Sequence, residues 1–537
     1  AVDSMKNGTK QMARRQLGAL ALLAESGVPT RWLAPTKEQS GDQQNEGAEH
    51  SADEDAHDAL TELISRSIVQ QTARDRSKTT IHRLQAQVLR NSWNNNELDD
   101  ARAAATGLLG SVNISRYPSN DTKARRQEAL DLVDQLRSIG TQEHSQVLFE
   151  SPQISEALFQ AFSHASDLGL PYEALTLNVA VDALEGLLGP DHPDTLASRH
   201  NLAYAYQSAG RLGEAVILYE KLFSDRTRVL GEDHPDTFTS RNNLAYAYQS
   251  AGRLGEAVIL YEKLFSDRTR ILGPNHRDTL ASCNNLAYAY ESAGRLTDAI
   301  ALYEDLLVNS VRILGPDHDE AFLSRINLAG AYMSAGFLTK AIPLYEEALA
   351  DSVRILGPNH HATLLSRTDL AGAYMSAGRL AEAITLYQEV HTETKRIRGL
   401  INPVSYASSW RLQKAYKATD RLSETFPLFE EIHTDRTFIL GPIDHIRLVS
   451  RNNLTTINTS AGRLRDLIPM FEKVLLDRQQ RVLGPDHPDT LVLRNNLAYV
   501  YKSAGFLEDA ITLYEQVLAD STRVLGENHP LGLGLCC

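Results

Sequence analysis

The chain has 537 residues with 54 Lys and Arg against 68 Asp and Glu, a formal charge of −14 at neutral pH. That balance opposes nonspecific attraction to polyanions, so neither nucleic acid nor a membrane surface is expected as a partner, although a local basic patch is still allowed. Three cysteines, two of them adjacent at Cys536 and Cys537, make no disulfide framework and no zinc spacing, which points to a reducing cytoplasm.

No apolar run reaches about 18 residues and no signal-peptide pattern opens the chain. The opening "AVDSMKNGTK" lacks an initiator Met and reads as an excised or processed piece of something longer. In chain order, residues 11–34 ("QMARRQLGALALLAESGVPTRWLA") predict an apolar helix and a turn. Residues 36–56 are polar, acidic and free of aromatics, the composition of a disordered insertion. Then come a helix over 58–71, a short β-leaning "KTTIHRL" at 78–84 and a helix over 85–93. Helix, helix, strand and helix in this order suggest a small winged-helix-like domain over 1–105. Such a domain alone is compatible with DNA binding, but the acidic balance opposes it. Residues 106–188 read as a helical linker ending in a degenerate repeat from about 150.

From there the organisation is a repeat. Residues 201–228, "NLAYAYQSAGRLGEAVILYEKLFSDRTR", recur without a change at 243–270, and a marker glycine stands at Gly189, Gly231, Gly273, Gly315, Gly357, Gly399, Gly441, Gly484 and Gly526. The step is 42 residues, with one of 43 between Gly441 and Gly484, which gives eight units over 189–525 and a truncated ninth over 526–537. Fixed periods of this size mean a solenoid whose units bury their apolar faces on one another. Each unit reads as two helices, A and B. Pro193 sits just inside the start of the first A helix, Gly210 stops it, and helix B runs from about Arg211 to Leu230, closed by Gly231. Pro343, Pro427 and Pro469 fall early in their B helices, near the first turn, where proline is tolerable.

The pattern Leu202, Ala203, Tyr206, then Ala215, Tyr219 and Leu222 resembles the tetratricopeptide repeat, and "LGPDHPDT" with "NNLA" narrows the likeness to the long variety of kinesin light chains. It covers about two-thirds of the chain. The fold it implies is all-α, a right-handed α-solenoid of 42-residue helix pairs, whose A helices line a concave groove.

At about 100° per residue, Leu244, Ala245 and Tyr248 fall on one face of the second A helix, and Thr239, Asn243, Tyr246 and Ser250 on the opposite face. The asparagine recurs as Asn201, Asn243, Asn285, Asn327, Asn453 and Asn496, with Asp369 and Arg411 as departures. A primary amide can serve both edges of an extended peptide backbone; related repeats use this asparagine so, and bridging between neighbouring A helices is the other reading. Tyr204, Tyr246 and Tyr288 share the stripe, where later units have Gly330 and Gly372. The candidate groove therefore runs from Asn201 to Asn327. A second ladder, Arg199, Arg241, Arg325, Arg367, Arg451 and Arg494, lies on the core side. Acids recur 26 residues after most of them, at Asp225, Asp267, Asp351, Asp477 and Asp520, so structural ion pairs are expected. The "DHPD" loops (Asp191, His192, Asp194) lack the clustered ligands of a metal site and read as turns and caps.

Residues 63–90 resemble the winged-helix segment of the NB-ARC group of signal-transducing NTPases with numerous domains (STAND), where a histidine senses the nucleotide's phosphates. By position that histidine is His82, with Arg83 departing from the acid usual in plant members. No G-x-x-x-x-G-K-[ST] occurs in the chain, so no enzyme activity and no cofactor are expected here; ADP or ATP would bind a core preceding residue 1 in a longer parent. The resemblance implies a regulatory region in which the repeats bind a protein or peptide ligand. The alternative is a constitutive scaffold like a light chain. The apolar "LGLGLCC" after Pro530, where a polar cap is usual, suggests self-association through that end.

Overall fold

A computed structural model describes residues 7–23, 26–34, 49–72, 77–118, 121–398 and 488–525, with isolated positions elsewhere. These fall into two compact units, 1–294 and 295–537.

In the first unit, α1 (Asn7–Leu22) is followed by β1 (Val28–Pro29), α2 (Thr30–Leu33), α3 (Glu49–Ser65), β2 (Val69–Gln71), β3 (Lys78–Ile81), α4 (Arg83–Ser92) and α5 (Asn95–Gly110). The three strands form one antiparallel sheet in the order β1-β3-β2, with Val28 opposite Thr79 and Val69 opposite Ile81. Two sequence expectations change here. Residues 49–56, expected in the disordered insertion, belong to α3, and the segment expected as one helix over 58–71 splits into the end of α3 and β2. The split is at Ser67, whose φ of 56° is left-handed; Ser67 and Ile68 donate back to Ile64 and Leu63, so the chain turns and Val69 enters the sheet.

Helix α6 (Thr122–Thr141) carries Glu128 and Asp131, both buried. Trp32 Nε1 and Arg31 Nε donate to Glu128 at 2.8 and 2.7 Å, and Lys78 Nζ lies 3.2 Å from Asp131. Buried carboxylates need such partners, and these tie α2 and β3 to α6. One hydrophobic cluster runs from Ala13 through Leu63, Leu136 and Phe162 to Ala205. Helices α7 (Glu143–Gln146), α8 (Pro152–Asp167), α9 (Pro171–Leu175) and α10 (Asn178–Leu188) lead into the repeats.

The A helices of the first unit are α11 (Pro193–Ser208), α13 (Pro235–Ser250) and α15 (Arg277–Ser292), and the B helices are α12 (Leu212–Leu230) and α14 (Leu254–Leu272). In the second unit come α16 (Leu296–Leu314), α17 (Asp319–Ser334), α18 (Leu338–Leu356), α19 (His361–Ser376), α20 (Leu380–Arg398), α21 (Pro488–Ala504) and α22 (Leu507–Leu525). The fold class is the all-α solenoid of tandem helix pairs expected from the period.

The punctuation follows from residue chemistry. Gly210, at φ 74°, lets Arg211 and Gly210 donate back to Tyr206 and Gln207, closing the last turn of α11. Gly231, at φ 92° and ψ 163°, adopts a conformation open essentially to glycine alone. The histidine before each of the A helices α11, α13, α15, α17 and α19 is its N-cap: His192, His234, His276, His318 and His360 each accept, through Nδ1, the backbone N–H two residues on at 3.1–3.3 Å. That ring nitrogen is spent on the helix end, which is the cap reading of these loops. His234→Ala is expected to cost about 1 kcal/mol, read as faster amide exchange in the first turn of α13; unchanged exchange would remove the cap from the argument. Pro343 is the sixth residue of α18, one turn deeper than the first-turn position expected for it, and it removes the bond that would reach Thr339. Pro427, Pro469 and the apolar end 531–537 lie outside the described residues.

Candidate functional site

The arginine ladder is structural. Arg199 Nη1 reaches Asp225 at 3.0 Å, Arg241 reaches Asp267 at 2.6 Å, Arg325 reaches Asp351 at 2.5 Å and Arg494 reaches Asp520 at 2.6 Å. Each pair joins helix A to helix B of one repeat. Arg367, with Glu393 rather than an aspartate 26 residues on, lies 3.6 Å from Glu389. Arg451 and Asp477 are outside the described residues.

The opposite face of the A helices holds the amides and tyrosines. Asn201, Asn243 and Asn285 are half-buried. Asn285 Nδ2 donates to Asn242 Oδ1 on the preceding A helix at 2.9 Å, and Asn243 Nδ2 lies 3.5 Å from His200 Nδ1. Gln207 and Gln249 donate to Ser250 and Ser292 at 3.2 and 2.7 Å, and Ser250 Oγ donates to the Tyr246 carbonyl at 2.9 Å. The ladder thus bridges neighbouring A helices. The departures follow the same geometry: Arg411 Nη1 lies 3.5 Å from Asp369, so an ion pair stands where two amides stand elsewhere. A primary amide has two N–H groups and an oxygen, and the bridge occupies one N–H of Asn285, which leaves ligand contact chemically open.

Tyr204, Tyr246 and Tyr288 are 47, 50 and 53% exposed, a large amphipathic surface with no core to cover it. Beneath them lie the buried B-helix rings Tyr219 and Tyr261, whose hydroxyls burial pushes far above the ordinary phenol range, with the phenols of Tyr204, and of Tyr246 and Tyr288, adding to it. In the second unit, a Cβ on Gly330 or Gly372 would come within 3.5 Å of the Tyr345 hydroxyl or 3.6 Å of the Tyr387 hydroxyl. Among the described residues a B-helix tyrosine thus lies under the stripe, beside a ring at Tyr204, Tyr246, Tyr288 and, in the second unit, Tyr499, and beside a bare glycine at Gly330 and Gly372. Asn327, half-buried on α17, belongs to the second unit, so the face described together is that of Asn201 to Tyr288.

His82, the exposed residue after β3, caps α4 by accepting the Leu84 N–H on Nδ1 at 3.3 Å. With Nδ1 an acceptor, the neutral ring carries its proton on Nε2.

Several working residues escaped the sequence reading. Arg226 on α12 donates to Ser240 Oγ at 2.9 Å, and Arg268 on α14 to Ser282 Oγ at 2.7 Å, stapling each B helix to the next A helix. Tyr248 and Tyr290 donate to Glu220 and Glu262 of the preceding repeat at 2.7 Å. The signal was present, because the Arg and the Tyr-Glu dipeptide both recur at the repeat period, but pairing across repeats requires knowing which faces meet. His200 was also missed. Burial, reinforced by the nearby Arg226 charge, pulls it down to about 4 against a smaller upward pull from Asp236, so its ring is neutral near pH 7. Among the described residues no group of three or more His, Cys, Asp or Glu is arranged to hold a metal, and no helix is long and apolar enough to cross a membrane.

Two models of the tetratricopeptide repeat match the chain, one over 236–308 and 319–392 and the other over 195–236, 447–489 and 490–531, together just over half of its length. No curated protein matches. Among solved structures, a protein from Podosopora anserina described as a kinesin light chain with nearly identical TPR-like repeats is 33% identical, over 38% of this chain and 97% of that one, with a TM-score of 0.35. A Signal Transduction ATPase with Numerous Domains from Pyrococcus horikoshii, with a tetratricopeptide repeat sensor, is 13% identical over 81% of this chain and 65% of that one, with a TM-score of 0.39. The apo form of the quorum sensor NprR from B. thuringiensis is 13% identical over 68% and 98%, with a TM-score of 0.37. Whole-chain superpositions this loose carry no functional argument. The repeat models do: tetratricopeptide repeats serve as protein-binding scaffolds or sensors and are typically non-enzymatic. The chain belongs to the tetratricopeptide-repeat family.

Proposed function

We propose that this chain binds a protein or extended peptide along the A-helix face of its first repeats, as the ligand-sensing and regulatory region of a STAND or NB-ARC-type signalling protein. The observation that carries the binding reading is the row of half-exposed tyrosines, Tyr204, Tyr246 and Tyr288, beside the amides of Asn201, Asn243 and Asn285. Rings with a polar handle supply contact area at low entropic cost, and amides pair with the ligand backbone. Asn327 extends the same chemistry in the second unit.

The regulatory reading is supported by the N-terminal elements. The chain order α1, β1, α2, α3, β2, β3 with the sheet order β1-β3-β2 is the arrangement a winged helix would need, which supports this reading. Just past the end of the central strand β3 stands His82, whose Nε2–H is suited to donate to a phosphate oxygen. The chain has no phosphate-cradling loop of its own, so that phosphate would be held by another segment or chain. A bound ligand shifts such a switch only by its difference in affinity for the two states. A constitutive scaffold is the second reading, since the tyrosine face serves either role. Ligand-dependent oligomerisation of the full-length protein separates the two, because a scaffold would show none.

The test is affinity capture from the source cell's lysate, with this chain and its Tyr246→Ala/Tyr288→Ala version as baits, followed by titration of the captured partner. Two anchor residues are each worth about 2 kcal/mol, so affinity should fall on the order of 1,000-fold with the helices intact by circular dichroism. Equal affinity would move recognition off this face. An Asn243→Ala/Asn285→Ala bait needs its stability measured alongside, because Asn285 also bridges two helices.

A further inference from the structure

One end of the tyrosine face opens into a cavity of about 430 Å³ between α8, α9 and α11. Phe159, Phe162, Ala174, Ala205 and Tyr204 supply its apolar walls. Asn201 and His200 supply polar atoms inside, and Ser163 and Asp167 stand among the exposed lining residues. Phe159 is 53% exposed although it forms a wall, so an aromatic surface faces the empty space. The volume lies in the range of small-ligand sites.

We propose that this cavity seats one aromatic side chain of the bound protein or peptide, with a Lys or Arg next to that residue in the ligand paired to Asp167. The inference rests on the reading of the A-helix face as the binding face and says which side chain anchors there. Three observations carry it. The walls are rings and methyl groups with a few convergent polar atoms, which suits an aromatic group bearing a polar edge. Two lining residues, Asn201 and Tyr204, begin the ladder, and a third, His200, lies 3.5 Å from Asn243 of the next A helix. A ligand seated here therefore continues onto the ladder, which favours a chain over a free small molecule. The charge is also one-sided: His200 is neutral near pH 7, Asp167 is the charged group of the lining, and the whole chain carries −14. A basic neighbour in the ligand complements that sign.

The experiment is a selection of random displayed peptides on the full chain, followed by fluorescence-anisotropy titration of the best binder. The proteins titrated are wild type, Ser163→Trp, Asp167→Asn and Tyr246→Ala/Tyr288→Ala. The expected peptides share an aromatic residue with an adjacent Lys or Arg. Ser163→Trp, which fills the cavity from an exposed position, should weaken binding on the order of 30-fold or more. Asp167→Asn should weaken it about 3-fold, less at high salt. Replacing the peptide's aromatic residue by Ala should reproduce the loss on wild type and add nothing on Ser163→Trp; this arm stands if Ser163→Trp folds poorly. Peptides without a shared aromatic, or unaltered affinity for Ser163→Trp with loss on Tyr246→Ala/Tyr288→Ala, would overturn the cavity assignment and leave the binding face intact. Peptides indifferent to both variants, or no peptides at all, would overturn both. N-acetyltryptophanamide competing as strongly per mole as the peptide would make the cavity a small-molecule site and overturn the proposal.

Discussion

Arg241→Ala is expected to destabilise the first repeats by about 3–5 kcal/mol, the range for breaking a buried ion pair from one side. The guanidinium is 1% exposed and held by Asp267 at 2.6 Å, and it lies over the rings of Phe223 and Phe238 at 5.4 and 5.8 Å. Its Nε and Nη2 atoms are buried without a hydrogen-bond partner, so one carboxylate and two rings hold the charge. Alanine would leave a cavity between those rings and Asp267 with only Arg270, at 3.4 Å. Arg241→Met with Asp267→Leu removes both charges at similar volume and should be near neutral. Because repeat arrays open locally, the readout is amide exchange in α13 and α14. Equal protection in Arg241→Ala and wild type would show that the pair adds nothing.

The same pair sets an acid dependence. Burial raises the Asp267 pKa, but the hydrogen bonds from Arg241 and Arg270 outweigh it and the value ends below the ordinary carboxylate range. A lowered folded value means stability present in full above the unfolded pKa, near 4, and lost as pH falls through the folded one. Protection of α13 and α14 should therefore fall below about pH 4 in wild type, and less so in the doubly substituted chain.

Gly140→Val is the second large effect expected, about 3 kcal/mol. A Cβ on Gly140 of α6 would lie 2.6 Å from the Ala180 nitrogen and 2.7 Å from its Cα. Both are backbone atoms of α10, so no rotamer change relieves the clash and the helices must separate. Gly186→Ala on α10, where nothing lies within 4 Å of the added methyl, should instead stabilise by up to about 1 kcal/mol. Comparing melting and amide exchange of the two variants checks this; similar shifts would mean that α6 and α10 do not pack backbone to backbone.

The repeat fold was legible because its signals are local and recur. Pro193 and Pro235 start helices, Gly210 and Gly231 end them, and the Arg–Asp ladder loses both members together where Cys283 replaces Arg and Asn309 the acid, although Ser409 keeps an acid, Asp435, 26 residues on. Each needs only the period and helix geometry. The N-terminal sheet was half legible. "KTTI" declared β3, but the turn at Ser67 that frees β2 from α3 depends on pairing Val69 with Ile81. No composition of that segment announces such a contact.

The candidate site divides the same way. Residues on one face of one helix follow from 3.6 residues per turn, so the stripe of Asn243, Tyr246 and Ser250 could be read from the letters alone. What each side chain touches on the next helix could not. That Asn285 bridges to Asn242, that Asp369 and Arg411 replace amides by an ion pair, and that Phe159 and Tyr204 wall one cavity are matters of which surfaces meet. The sequence by itself determined the repeats, their ends and their outward face, since these follow from backbone geometry within about twenty residues. Only the tertiary structure decided the contacts across repeats and the cavity beside Asn201, because they join side chains on different helices, 14 to 45 residues apart, a separation at which the periodicity of one helix carries no information.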